Sequence, residues 1–351
     1  MLYRSIIRPL LFQLNPEAIH HIVNAGLKFV YAIPGVGAMS RAYFHINDKS
    51  LETEVFGLKF PNPVGFAAGF DKEGKLYNEL HNLGFGHIEI GTFTPKGQSG
   101  NPQPRLFRLI EDHGLINRMG FNNSGATVAA ERLKNRKPNC IVGGNIGKNT
   151  ATPNSEAVAD YVSCFETLFD YVDYFVVNVS CPNVTNLHEL QDRDSLLEIL
   201  TAIQEKNNAK SNPKPVLLKV APDLNDKQLD DTIEIVIKTK LAGVVATNTT
   251  ITRDHLKTSQ QKIESIGRGG MSGAPIKDKS TQVIRYIAKK SNKAFPIIGV
   301  GGIETPEDAM EKLDAGADLI QVYTGFIYSG PWLVRRINKA ISKRNKKQLK
   351  A

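Results

Sequence analysis

Cysteine is scarce in this chain: three residues in 351, Cys140, Cys164 and Cys181, with no CxxC pair. An odd set at that spacing argues against a disulfide framework and against a structural zinc site, and it fits a reducing compartment. Cys140 and Cys164 lie in apolar surroundings and read as core packing. His20, His21 and His113 fall at no spacing that would build a metal triad, so no metal is expected and these residues are assigned to the surface or to packing. No run of about 18 apolar residues occurs, which counts against a transmembrane helix. The opening MLYRSIIRPLLFQLNPEAIHHIV is too broken by Arg, Asn and Pro for a signal peptide and lacks a small-residue cleavage site. It is also too short ahead of its first helix for a long organellar presequence, so a bacterial cell is the expected setting. The GxGxxG fingerprint is missing from the glycine-rich loops, which disfavours a Rossmann fold.

Positive charge is in excess, with 44 Lys and Arg against 35 Asp and Glu, but much of it sits at the end. KAISKRNKKQLKA carries six Lys or Arg and no acid. Residues 341–351 are therefore expected to form a solvated basic tail, or else a contact for anionic lipid headgroups. Without interleaved aromatic residues the charge does not describe a nucleic-acid surface.

What is present is a recurring apolar burst that stops at a polar residue or glycine. The bursts are NPVGFAAG from Asn62, HIEIGTFT from His87, CIVGGNIGKN from Cys140, YFVVNVSCPN from Tyr174, PVLLKVAP from Pro215, GVVATNTT from Gly243, FPIIGVGG from Phe295 and LIQVYTG from Leu319. They are continuously apolar rather than alternating, as expected of parallel strands buried on both faces. Helical spacing lies between them. In TPEDAMEKLDAGAD, Thr305 is the expected N-cap and Pro306 the first helical residue. Eight such alternations read as an α/β fold of the (β/α)8 TIM-barrel type, within the length that one domain of this kind occupies. LETEVFGLKFPN, ahead of the first burst, reads as a hairpin closing the bottom of the barrel.

In such a barrel the carboxyl ends of the strands surround the active site. Here those ends carry Lys72, Thr92, Asn145, Asn178, Lys219, Asn248, Gly301–Gly302 and Thr324. Gly299, Gly301 and Gly302 after the seventh burst, and Gly325 after the eighth, would let backbone amides approach a phosphate. Two lysines at the mouth would supply cations where a reduced cofactor ring accumulates negative charge. Asn117, Asn122, Asn145, Asn178, Asn183 and Asn248 offer uncharged donors and acceptors suited to a flat amide-edged ligand such as a pyrimidine, although any single Asn serves equally well as a turn former. Cys181, between Ser180 and Pro182 in a polar loop, is placed to exchange a proton.

The motifs AAGFDKEG, GTFTPKGQSGNPQPRLFR, LINRMGFNN, NIGKN, NVSCPN, KVAPD, TNTT, GGMSGAP, IIGVGG and VYTGF, in this order over roughly residues 40 to 340, resemble those of the dihydroorotate dehydrogenases. The resemblance implies oxidation of dihydroorotate to orotate in pyrimidine biosynthesis with non-covalent FMN. It assigns FMN to Ala67, Ala68, Gly69, Lys72, Thr92, Asn145, Asn178, Lys219, Thr247, Gly273, Gly302, Tyr323 and Thr324. It assigns the substrate to Lys72, Asn117, Arg118, Met119, Gly120, Phe121, Asn178, Asn183, Asn248 and Thr249. Cys181 would take the C5 proton.

A cysteine at this position is usual in the family's soluble class, whereas the quinone-linked class usually has serine. Other features resemble the quinone-linked class: about 45 residues ahead of the barrel, NRMGFNN, GGMSGAP, and NLHELQ after the base. Ile6, Ile7, Leu10, Leu11 and Leu14, then Ile19, Ile22, Val23, Leu27 and Val30, recur at helical spacing. Two amphipathic helices joined around Asn15–Pro16 would sit on a bilayer with Arg4 and Arg8 at the headgroups, and funnel a membrane quinone to the flavin. The organisation expected is thus a membrane and quinone segment over 1–45, an FMN-binding barrel over 46–340 and a basic tail over 341–351. The chain is expected to be a monomer, peripheral on the cytoplasmic side of a bacterial inner membrane. The rival readings are the soluble class using fumarate or NAD, and a barrel that binds a phosphorylated ligand without redox chemistry. NAD use in the soluble class needs a partner subunit, and the chain shows no iron–sulfur cysteines.

Overall fold

Eight parallel strands close into a barrel in the computed structural model, which describes residues 2–137, 140–184 and 187–348, without the side chain of His188. Thirteen strands occur among these residues: β1 (Thr53–Val55), β2 (Leu58–Phe60), β3 (Val64–Phe66), β4 (His87–Phe93), β5 (Leu106–Leu109), β6 (Gly114–Asn117), β7 (Ile141–Ile146), β8 (Tyr174–Asn178), β9 (Val216–Val220), β10 (Gly243–Ala246), β11 (Gly270–Gly273), β12 (Ile297–Val300) and β13 (Leu319–Val322). The barrel order is β3-β4-β7-β8-β9-β10-β12-β13, closing back on β3. These are the eight apolar bursts, each buried along nearly its whole length as a two-sided parallel strand must be. The helix Pro306–Asp314 starts as expected, with Thr305 and Asp308 forming a reciprocal capping box.

β1 and β2 pair antiparallel as the expected hairpin. Val55 and Phe60 pack into the same apolar cluster as Tyr174, Val176, Leu217, Val245, Ile298 and Leu319, so the amino-terminal end of the barrel is filled. His87 adds its ring to this floor between Phe60 and Tyr174. Burial alone holds it neutral, with its pKa down to about 3.

A second sheet went unread in the sequence. β5, β6 and β11 form an antiparallel sheet at the mouth, with β6 in the middle. Each strand has four residues, and β6 pairs with a strand about 150 residues away, Asn117 opposite Gly270. Local periodicity carries no trace of such a partner.

The N-terminal segment rests on this sheet. A π-helical turn Tyr3–Ile7 runs into α1 (Arg8–Phe12), and Asn15 caps α2 (Pro16–Ala32) by accepting from the amides of Glu17 and Ala18 at 2.9 and 3.2 Å. α3 (Val36–Phe44), not anticipated from periodicity, follows at 106° to α2. Among the described residues no single helix is long and apolar enough to cross a membrane. Arg4 and Arg8, expected at the headgroups, also bond back to the chain: Arg4, still exposed, donates to Ser329 Oγ at 2.6 Å and the part-buried Arg8 to the Tyr328 carbonyl at 3.1 Å.

The expected tail is helical as far as it is described, solvated on its outer face only. Residues to Gln348 continue the helix Trp332–Gln348, with Ile341 buried, Ser342 bonded to Asp48 and Lys346 paired with Asp48 at 2.6 Å. Helical spacing puts Ile337 and Ile341 against the barrel, which the count of basic residues concealed. The last three residues of that expectation, and Asn186 of NLHELQ, lie outside the described residues.

Candidate active site

A cleft of about 1210 Å³, counting its open mouth, lies at the carboxyl ends of the barrel strands. Of the residues singled out for a cofactor, Ala67, Ala68, Gly69, Lys72, Thr92, Asn178, Lys219, Thr247, Gly273, Gly302, Tyr323 and Thr324 line it. Of those singled out for a substrate, Asn117, Met119, Gly120, Phe121, Asn183, Asn248 and Thr249 line it too, as does Cys181.

Two residues depart from expectation. Asn145 stands behind the wall, fully buried, accepting from Thr92 Oγ1 at 2.5 Å and donating to Glu89 at 2.7 Å. It orients the wall rather than forming it. Arg118 points away: its guanidinium lies 4.6 Å from the Phe107 ring centre and donates to the carbonyls of Pro104 and Ile266. Asn117 ends β6 facing the cleft, and Arg118, the next residue, leaves on the opposite side.

The amides form two connected sets. In one, Asn248 Nδ2 donates to Ser180 Oγ at 2.9 Å and to Asn178 Oδ1 at 3.3 Å, while Asn178 Nδ2 donates to Thr92 Oγ1 at 3.1 Å. In the other, Asn183 Nδ2 donates to Asn117 Oδ1 at 3.0 Å, and Asn117 donates to the Gly270 carbonyl of β11. Each amide is held by another, which fixes which atom faces the cleft.

Cys181 is half-buried in the loop after β8, between these sets. Burial pushes its thiol up to about 11, against the pull of hydrogen bonds from Asn183 and of the cations Lys219 and Lys72. Lys72 Nζ donates to the Gly69 carbonyl at 2.6 Å. Burial, and then the nearby Arg105, bring its pKa down to about 8, while Glu17 and Cys181 oppose the shift. Lys219, almost wholly buried on β9, pairs with Glu89 at 3.3 Å.

At the far end Gly301 and Gly302, both at positive φ, face Gly273, Thr324 and Gly325 across the cleft. A Cβ on Gly302 would strike the Lys277 backbone, and one on Gly325 the Ile303 carbonyl. Only glycine lets these loops come together.

Sequence reasoning missed several residues here. Glu17 and His20, both on α2, line the mouth, and His20 had been assigned to the surface or to packing. Burial and the charge on Lys72 keep it neutral, with a pKa down to about 3. His113 does serve packing, stacked on Tyr328 and paired with Glu304 at 2.8 Å. Glu89 was hidden inside an apolar burst. Its one visible signal was a carboxylate in a strand otherwise buried throughout.

A closed (β/α)8 barrel with glycine loops after its seventh and eighth strands and a cleft of lysines, amides and a thiol at its mouth has the build of a barrel enzyme. The chain belongs to the dihydroorotate dehydrogenase family: the family model, Dihydroorotate dehydrogenase, matches residues 50–344. It is 60% identical over 340 residues to a dihydroorotate dehydrogenase (quinone) of Christiangramia forsetii, covering 97% of this chain and 98% of that protein. It is 47% identical to a protein of the same name from Synechococcus sp., covering 97% and 92%. Among solved structures it resembles DHODH from Eimeria tenella in complex with ferulenol, at TM-score 0.84 and 35% identity over 95% of this chain and 93% of that one.

Proposed function

We propose that this protein oxidises dihydroorotate to orotate for pyrimidine biosynthesis, with a quinone as electron acceptor, FMN in the barrel cleft, and the N-terminal helices on a membrane surface. The observation that carries the reading is the single cleft in which Cys181, two lysines and two linked amide sets face glycine loops.

The cleft fits FMN on its own evidence. Thr247 Oγ1 is buried in it without a partner, and so is Gln321 Oε1, which leaves polar atoms for a ligand to satisfy. Gly273, Gly302 and Thr324 would hold the phosphate, Ala67 to Gly69 the ring edge, and Lys219 the polar end of the ring. When bound, FMN would accept a hydride from the substrate and pass the electrons to the quinone.

The chain's own residues do the rest. Lys72 binds the substrate carboxylate as an ammonium. Asn117, Asn178, Asn183 and Asn248 orient the flat amide edges of the ring, and Phe121 and Met119 shed water from it. Cys181 Sγ takes the C5 proton and must be a thiolate to do so. Lys72 and Lys219 are the cations that stabilise that thiolate.

The membrane reading rests on the N-terminal surface. Leu10 is 60% exposed, Phe29 74% and Met39 74%, a density of bare apolar side chains found nowhere else among the described residues. We place the chain, as a monomer, on the cytoplasmic side of a bacterial inner membrane. The soluble class is not favoured, because the cited relatives named for quinone match along their length and include the N-terminal segment.

The test is anaerobic mixing of purified protein with dihydroorotate, then with quinone, fumarate or NAD. Flavin bleaching restored by quinone alone is the expected result. Restoration by fumarate or NAD would reject the class, and absence of bleaching would reject the substrate.

A further inference from the structure

Glu89 lies on β4 at the barrel axis with no exposed surface. Its Oε1 accepts from Lys219 Nζ at 3.3 Å and from Asn145 Nδ2 at 2.7 Å, and its Oε2 accepts from Gln321 Nε2 at 2.8 Å. One carboxylate thus gathers donors from β9, β7 and β13, three strands besides its own. Two of those donors, Lys219 and Gln321, face the cleft, and the third, Asn145, holds Thr92 on the cleft wall. A carboxylate this deep costs several kcal/mol unless it is paired and hydrogen-bonded. Structure alone gives no reason to place one here, since the floor below is apolar.

We propose that Glu89 is a positioning residue of the cofactor site: it acts through Lys219, keeping that side chain an ammonium at the polar end of the bound ring. This rests on the reading that FMN occupies the cleft. The hydride sends negative charge into the ring, and a cation fixed beside it stabilises that charge without reorganising. Burial disfavours an ammonium and a carboxylate 3.3 Å away favours it, so the pair with Glu89 is what supports the charge on Lys219.

Several titratable groups share the cleft with Lys219: Lys72 from the segment after β3, Cys181 from the segment after β8, Glu17 and His20 from α2, and Tyr323 after β13. Asn145 on β7 and Gln321 on β13 do not titrate. On β8 Tyr174 is kept protonated by burial, and on β4 His87 is kept neutral. β10 presents Val245 opposite Lys219 in register, and β12 contributes Ile298. Among the described residues Glu89 is the one acid paired with Lys219.

The experiment is titration of the apoprotein with FMN, followed by flavin fluorescence, from pH 6 to 9. It compares wild type with Glu89→Gln. Lys72 titrates in both proteins, so the ratio of the two dissociation constants isolates Lys219. That ratio should grow about tenfold or more across the range, as one ionisation enters it. Glu89→Asp, which retains the charge, should keep the ratio nearly flat. In a Lys219→Met background, Glu89→Gln should add no pH dependence. A ratio that is constant with pH, or a pH dependence that persists without Lys219, overturns the proposal. If Glu89→Gln does not fold but the double variant does, the unpaired ammonium was the fault and the pairing stands. If Lys219→Met folds and the double variant does not, Glu89 is structural and the proposal falls. Failure of wild type to bind FMN would instead reject the functional reading, before any variant is compared.

Discussion

Glu17 and Arg105 form a buried, two-pronged ion pair, with Nη2 to Oε1 at 2.7 Å and Nε to Oε1 at 3.0 Å. It ties α2 to the start of β5, and so ties the N-terminal helices to the mouth. Burial would raise the Glu17 carboxyl, but the hydrogen bonds and charge of Arg105 outweigh it and hold the pKa below its usual value. A depressed carboxylate stabilises the folded state above its unfolded pKa, and the contribution is lost as pH falls through the folded value. Glu17→Leu should leave the Arg105 charge buried without its carboxylate, held only by the Ser99 and Asn101 carbonyls, at a cost of about 3–5 kcal/mol to docking. Limited proteolysis should then cut within residues 2–44 much faster at neutral pH. Unchanged cleavage would show that the helices are held by apolar contact alone.

The two titrating groups of the cleft predict an unusual pH profile. In the proposed mechanism Cys181 loses a proton while Lys72 keeps one, yet burial pushes the thiol up to about 11 and brings the lysine down to about 8. kcat/KM for dihydroorotate reports the free enzyme. It should climb about tenfold per pH unit below about 8, as thiolate accumulates, and flatten above it, where loss of the Lys72 charge offsets the gain. A profile already flat at pH 6 would mean that the thiolate is formed there.

Cys181→Ala should slow anaerobic flavin reduction by about 10²–10⁴-fold at neutral pH, the usual worth of a positioned base. Stopped-flow bleaching of the flavin measures this directly. Reduction near the wild-type rate would remove Cys181 from the mechanism.

Gly302→Ala should weaken FMN binding. Gly302 sits at φ +71°, and an added Cβ meets the Lys277 backbone, so loop and helix must part. Strain of this kind costs about 1–3 kcal/mol, or roughly one to two decades in affinity. The affinity for riboflavin, which lacks the phosphate, should fall less. An equal fall for both ligands would place the phosphate elsewhere.

Phe29→Ser together with Met39→Ser should reduce cosedimentation with lipid vesicles and leave the melting temperature nearly unchanged, because both side chains are about three-quarters exposed. Vesicle binding equal to wild type would reject the membrane face as drawn.

The barrel was legible in the sequence because its signal is local. Each strand is a short Val- and Ile-rich run, and the polar residue closing each run already marked the mouth. The cleft was legible for a related reason: Cys181, Lys72 and Lys219 carry chemistry whatever surrounds them. What stayed hidden depends on partners distant in the chain. β6 pairs with β11, Glu17 meets Arg105, and Glu89 gathers donors from three strands, and nothing within a dozen residues of any of them says so. Arg118 was misplaced because a motif names residues without saying which way a strand turns them. The C-terminal helix was misread because charge was counted without its period.

The β1–β2 hairpin stoppers one end of the barrel with aromatic and aliphatic side chains, while the other end opens beneath α2. All traffic is therefore single-ended: whatever the cleft takes in enters and leaves by the same rim. Divergence is likewise split between the two ends. Variation at the rim retunes what is admitted, whereas the stopper can drift toward greater robustness without touching selectivity.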